Sequence, residues 1–185
     1  MPVSKTKYVA FLRGIGPSNP NMRNEKLRGV FEDLGFGNVQ TVITSGNVLF
    51  ESAAKDVRAL EMLIETALPE RLGFTRATII RSHAQLQRLV DAKPFGDIED
   101  TLKSQLNVTF LKNLSGLKLK FPCRRQGKDY QLLDMHDRAL CSVINCTTEK
   151  TAELMNWIER QFGKEVTMRT WKTVGRILTK MSGAD

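Results

Sequence analysis

The stretch Lys7-Tyr8-Val9-Ala10-Phe11-Leu12-Arg13-Gly14 sets the reading of the chain. Its apolar run, ended by Gly14, predicts a short buried strand. A polar loop with Gly16, Pro17, Asn19 and Pro20 follows. Leu27, Val30, Phe31 and Leu34 then recur at the spacing of one helix face. Gly35 stops that helix, and Phe36 just beyond can fold back on its last turn. Val39 to Ile43 and Val48 to Phe50 read as two strands, joined by Thr44-Ser45-Gly46-Asn47. Ser52 is the expected N-cap of a second helix with Val57, Leu60, Ile64, Ala67 and Leu68 on one face. Pro69 is expected to kink or end that helix, because it lacks an N–H and clashes with the preceding turn. Gly73 releases the chain into a strand from Phe74 to Ile80.

The order strand, helix, strand, strand, helix, strand is the split βαβ, ferredoxin-like arrangement. Such a unit packs its helices on one sheet face and is expected to leave the other face free for a partner. In the second half, Ser82-His83-Ala84-Gln85 has capping-box form and opens a helix running through Val90. Leu106, Val108 and Phe110 alternate with polar residues, which predicts a half-exposed strand. Phe121-Pro122 suggests an edge segment. Tyr130 to Met135 and Ala139 to Asn145 predict a hairpin around His136-Asp137-Arg138. Thr147 or Thr148 is expected to cap a helix carrying Leu154, Trp157, Ile158 and Phe162, ended by Gly163. Val166 to Met168 is a short strand, and Thr170 caps a last helix with Trp171, Val174, Leu178 and Met181 on one face. The expectation is an α+β chain of two packed ferredoxin-like (alpha-beta plait) subdomains, 1–82 and 83–185, with largely antiparallel sheets.

The chain has 185 residues and 28 Lys+Arg against 20 Asp+Glu, for a net charge of +8. This length suits one domain or two small ones and is too short for the usual eightfold barrel. No apolar run is long enough to span a bilayer, so no membrane association is expected. No apolar leader follows Met1, and Cys123, Cys141 and Cys146 are odd in number and widely spaced. Both features point to a reducing cytoplasm. No repeat of solenoid length is seen. Residues 101–128 hold seven basic residues and no acidic one, and six basic residues between Arg160 and Lys180 face only Glu165. These stretches are either a solvated surface or a contact for an anionic small molecule or nucleic acid.

Three segments are candidate ligand contacts. Arg13 and Gly14 begin a loop between strand and helix, where backbone N–H groups can approach an anion; the alternative is a tight connection needing glycine dihedrals. The loop is neither a dinucleotide fingerprint nor a Walker loop. Ser45, Gly46 and Asn47 offer a hydroxyl, an amide and backbone donors, or simply make a turn. Arg169, Trp171 and Lys172 place two cations and an indole around the start of the last helix, where they could hold a phosphate or stack a base; the alternative is an N-cap with Trp171 in the core. No metal site is expected, since His136, Cys141 and Cys146 lack ligand spacing. No cofactor is implied, and a Cys123–His136 nucleophile pairing has no local support.

The blocks Tyr8-Val9-Ala10-Phe11-Leu12-Arg13-Gly14-Ile15, Leu27-Arg28, Leu34-Gly35-Phe36, Ser45-Gly46-Asn47-Val48-Leu49-Phe50 and Arg169-Thr170-Trp171-Lys172-Thr173-Val174 resemble a mainly bacterial family catalogued as domain of unknown function 1697. The resemblance implies two ferredoxin-like units and no established reaction. The residues leave two functional expectations open. One is a cytoplasmic protein binding an anionic ligand, such as RNA or a nucleotide, on basic surfaces. The other is a small-molecule enzyme or ligand-sensing domain with a pocket between the subdomains. Neither the reaction nor the oligomeric state is legible at this level.

Overall fold

A computed structural model describes residues 4–16, 18–114, 119–124, 126, 128–145 and 150–183. The chain divides into two compact units, Met1–Ala84 with Arg176–Asp185, and Gln85–Gly175. Both units mix helices with an antiparallel sheet, so the fold is α+β with two subdomains.

The first unit runs β1 (Thr6–Leu12), a 3-10 turn (Pro20–Met22), α1 (Asn24–Asp33), β2 (Gly37–Thr41), β3 (Asn47–Ser52), α2 (Val57–Leu72) and β4 (Thr78–Ser82). Its sheet has the order β2-β3-β1-β4 with every neighbour antiparallel. That is the arrangement expected of the strand–helix–strand–strand–helix–strand pattern. Tyr8, Ala10 and Leu12 of β1, with Val48, Phe50 and Ile80, form one core with Leu27, Val30 and Phe31 of α1 and Leu60, Ile64 and Leu68 of α2. Phe36 closes the end of α1 as expected: its N–H donates to the Phe31 carbonyl at 3.2 Å, the Gly35 N–H donates to Glu32 at 2.9 Å, and the Phe36 ring centroid lies 4.5 Å from that of Phe50, the planes tilted by 35°.

Several boundaries differ from the expectation. Asp56, not Ser52, caps α2 by accepting from the Ala59 N–H at 3.1 Å, while the Ser52 hydroxyl accepts from Ala54 and holds a turn before the helix. Pro69 does not end α2, which runs to Leu72 and stops at Gly73, φ 74°. The proline sits in the last turn, where it removes only one ladder bond while Ala67 and Leu68 stay buried. β2 ends before Ile43, whose φ of 49° belongs to the turn, and β4 begins only at Thr78. The free sheet face is a larger correction. Val9, Phe11, Leu49, Ile79 and Arg81 point away from the α1/α2 core yet are all buried.

The second unit runs α3 (His83–Asp91, its first two residues counted with the first unit), β5 (Ser104–Leu111), β6 (Cys123–Arg124), β7 (Tyr130–His136), β8 (Ala139–Asn145), α4 (Lys150–Phe162) and β9 (Val166–Thr170). α5 (Trp171–Ser182) follows, counted with this unit up to Gly175. The sheet order is β6-β7-β8-β5-β9. β7 and β8 turn through Asp137 and Arg138, both with positive φ, which is the tight hairpin expected there. β5, the strand between β8 and β9, is not half-exposed: Asn107 and Thr109 are buried along with Leu106, Val108 and Phe110, so both of its faces are covered. Thr147 and Thr148, offered as caps for α4, lie outside the described residues.

The two sheets follow one plan. Without β6, the second sheet reads β7-β8-β5-β9, the order of the first. Val9 lies opposite Arg81 in the first sheet, and Val108 lies opposite Arg169 in the second. Both arginines are buried, and each donates from Nη1 to the carbonyl of the residue before it at 2.8 Å. The sequence repeats faintly at these points. Tyr8-Val9-Ala10-Phe11-Leu12-Arg13-Gly14 matches Asn107-Val108-Thr109-Phe110-Leu111-Lys112-Asn113, and the Arg81-Ser82, Leu86 and Arg88-Leu89-Val90 pattern matches Arg169-Thr170, Val174 and Arg176-Ile177-Leu178.

Candidate functional site

The candidate contacts divide between the units. Arg13, Gly14, Ser45, Gly46 and Asn47 are brought together in the first. The Leu12 N–H donates to the Gly46 carbonyl at 2.8 Å, and the Arg13 N–H donates to Ala77 at 3.0 Å. The buried Asn47 amide donates to the Val42 carbonyl and to the Ser45 hydroxyl, each at 3.0 Å. Gly46 has φ 73°, and a Cβ there would lie 2.6 Å from Ile15 Cγ1 and 3.0 Å from the Leu12 carbonyl. Gly14, φ 63°, accepts from Arg76 Nε at 3.3 Å. Asn47 and Gly46 are therefore engaged in making the turn and in seating the loop after β1 against it.

Arg169, Trp171 and Lys172 lie in the second unit. Arg169 is buried, and its Nη1 donates to Thr167 Oγ1 at 2.7 Å as well as to Met168. Burial pushes its guanidinium down to about 10, because desolvation penalises the charged form. The Trp171 ring meets Phe95 edge to face at 5.0 Å, so part of the indole is occupied by the core. Thr170 caps α5: its hydroxyl accepts from the Thr173 N–H at 3.3 Å. Lys172 is exposed and stands 3.7 Å from Asp100.

The basic stretch that looks acid-free in sequence is not so in space. Lys112 pairs with Glu165 at 3.4 Å, and Lys128 pairs with Glu153 of α4. Lys118 and Arg125 lie outside the described residues, as does Cys146. His136 Nε2 stands 2.9 Å from Asp134 Oδ2, and Cys123 lies opposite Leu132 in the sheet. The free Cys141 thiol is buried and pushed up to about 12, chiefly by desolvation and then by Asp134. Among the described residues no group of three His, Cys, Asp or Glu is placed to hold a metal ion. Among them, too, no helix is long and apolar enough to cross a membrane.

A different set of side chains converges in the first unit. A cavity of about 510 Å³ is lined by Lys5, Thr6, Lys7, Ser82, His83 and Ser182, with Ala84 and Met181. Lys5, just before β1, and Lys7 within it are two residues apart, and both line this cavity. Lys7 Nζ donates to the Met181 carbonyl at 2.8 Å, and His83 Nε2 lies 2.9 Å from the Ser182 hydroxyl. A second cavity of about 300 Å³, shared through Lys7 and Met181, adds Lys180, Asn38, Gln40 and Glu51. Lys180 donates to the Thr41 carbonyl at 3.3 Å. The sequence reading missed Lys5, Lys7 and His83. The available signal was the Lys5/Lys7 alternation just before the first apolar run.

No curated protein matches the chain. The solved structure of a conserved bacterial protein, SP0830 from Streptococcus pneumoniae, is similar over 97% of this chain and 99% of that one, with a TM-score of 0.73 and 19% identity. That likeness shows the fold. The blocks around β1, α1 and the Ser45–Phe50 segment fall within residues 5–134, which match the model of the family described as protein of unknown function (DUF1697), and the chain belongs to that family.

Proposed function

We propose that this chain is a cytoplasmic binding protein for a small anionic ligand carrying phosphate or carboxylate groups. The observation that carries the reading is the cavity in the first unit, where Lys5, Lys7 and His83 meet Ser82 and Ser182 and where, among the described residues, no carboxylate lines the cavity, Glu51 lying in the adjoining one. Its volume falls in the range of small-molecule sites. Cations are the groups that recognise phosphate and carboxylate oxygens, while the Ser182 hydroxyl, which donates to the Leu178 carbonyl at 2.9 Å, holds the His83 ring. The free thiols of Cys123 and Cys141 fit a reducing compartment. Extended nucleic acid is supported less well. The central strands β1 and β5 are buried on both faces over most of their length, and Lys112 and Lys128 are already paired.

The test is a titration of isotopically labelled protein with inorganic phosphate, with adenosine monophosphate and with a single-stranded RNA. Shifts of the Lys7, His83 and Ser182 amides by phosphate or the nucleotide, lost in Lys5→Ala/His83→Ala, support the reading. Shifts by RNA alone, or none at these amides, reject it.

A further inference from the structure

The shared plan of the sheets places a second cavity where the first unit has its own. Aligning Val9 with Val108 and Arg81 with Arg169 makes Thr6 the counterpart of Gln105, Ser82 of Thr170 and Ala84 of Lys172. Thr6, Ser82 and Ala84 line the basic cavity of the first unit. Gln105, Thr170 and Lys172 line a cavity of about 400 Å³ in the second, with Asp100, Thr101 and Leu102. Both cavities sit where the first strand of a sheet begins and its last strand turns into a helix.

Their chemistry differs. In the second cavity the Lys172 ammonium faces the Asp100 carboxylate at 3.7 Å, which is long for a charge-assisted hydrogen bond. Asp100 is also reached by the Leu106 N–H at only 3.4 Å, and Gln105 Oε1 by Asn107 Nδ2 at 3.5 Å. The Asp100 side chain is only 14% exposed, against 68% for Lys172. A half-buried carboxylate, an ammonium and an amide thus face one space while making only long contacts. Leu102, 95% exposed, offers an apolar wall at the rim.

We propose that this cavity is a site for a free α-amino acid. The ligand's ammonium group would sit between Asp100 and Gln105 Oε1. Its carboxylate would accept from Lys172 Nζ, and an apolar side chain would lie along Leu102. A ligand with both charges replaces the long Asp100–Lys172 contact by two short ones and leaves neither residue uncompensated. A simple anion meets Asp100, and a simple cation meets Lys172, so each half-ligand is opposed. The proposal is independent of the anion site in the first unit, because the two cavities share no residue.

The experiment is a titration of the labelled full chain with leucine, and separately with acetate and with methylammonium at the same concentrations. Leucine should shift the amides of Thr101, Gln105 and Thr170, while acetate and methylammonium should not. Lys172→Met, on the surface, should weaken leucine binding about tenfold or more, the loss expected from removing one charged hydrogen-bond partner. Asp100→Asn should do the same while keeping an acceptor for the Leu106 N–H. No leucine-dependent shift at millimolar concentration, equal shifts by acetate, or unchanged binding in Lys172→Met would each overturn the proposal. Phosphate shifting the Lys7 and His83 amides has no bearing on this outcome.

Discussion

Glu61 Oε1 accepts the backbone N–H of Ile80 at 2.9 Å. One turn on along α2, Glu65 Oε1 accepts the Thr78 N–H at 2.7 Å. β4 is an edge of the first sheet, and an edge strand offers unpaired N–H groups to any other strand. The two carboxylates occupy those donors on the outer side of β4. Glu61 is buried, so its loss leaves the Ile80 N–H both unpaired and away from water. Glu61→Ala should destabilise the protein by about 1–3 kcal/mol, and Glu61→Gln by less because it keeps an acceptor. Urea unfolding measures the loss. Hydrogen exchange at Ile80 should accelerate in Glu61→Ala more than exchange at Val9; uniform acceleration would mean that the carboxylate acts only on global stability.

Gly46 and Gly73 both have φ near 74°, yet their surroundings differ. A Cβ on Gly46 would strike Ile15 and the Leu12 backbone, whereas one on Gly73 would meet nothing within 4 Å. Gly73→Ala therefore costs only its backbone strain, roughly 1 kcal/mol, while Gly46→Ala adds an overpacked contact and should cost about 3 kcal/mol. Equal losses in urea unfolding would show that the seat of Gly46 against Ile15 relaxes freely.

The first sheet was legible because its signals are local. Leu34-Gly35-Phe36 carries a complete helix ending, and His136-Asp137-Arg138 gave the second hairpin in the same way. What was misread depends on partners distant in sequence. Ser52 and Asp56 are both good cap residues, and only the placement of the Ala59 N–H decides between them. The alternation of Leu106, Val108 and Phe110 describes one buried face correctly, but no local pattern reveals that Asn107 and Thr109 are buried too. The internal repeat was present in the sequence, yet Ala10 against Thr109 and Gly14 against Asn113 blur it until the strand registers align Val9 with Val108. The cavity at the start of β1 was hidden for the same reason, since Lys5, His83 and Ser182 meet only after folding.

The acid-free run from 101 to 128 draws its neutralising charge from α4 and from the segment before β9. Glu153 pairs with Lys128, and Glu165 with Lys112. Glu153→Gln/Glu165→Gln removes two carboxylates from this surface and should elute from a heparin column at distinctly higher salt than wild type, because a more positive surface gains phosphate-type contacts, each of which steepens the salt dependence. Identical elution of the two proteins would show that these pairs do not mask the surface. Glu153→Gln alone should change stability little, since an ion pair with both partners solvated contributes at most about 1 kcal/mol, whereas Glu165→Gln acts on a Lys112 side chain that is only 15% exposed.

Cys141 and Cys123 should differ sharply in reactivity. The thiolate is the attacking form, and Cys141, buried and raised from 9.0 to about 12, holds almost none of it at neutral pH. Cys123 is half-buried on the edge strand β6. In a Cys146→Ser background at pH 8, a disulfide reagent should label Cys123 in the native protein and reach Cys141 only after denaturation. The same shift has a stability consequence. Between pH 9 and 12 the unfolded thiol loses its proton while the folded one keeps it, so the contribution of Cys141 falls as pH rises through that window. Cys141→Ala removes this term. Its destabilisation relative to wild type should therefore be largest below pH 9 and shrink above it. Comparing the two proteins at each pH cancels the opposite contribution of Arg169, whose folded-state value is depressed to about 10. A pH-independent difference would show that Cys141 ionises as readily in the native state as in the unfolded chain.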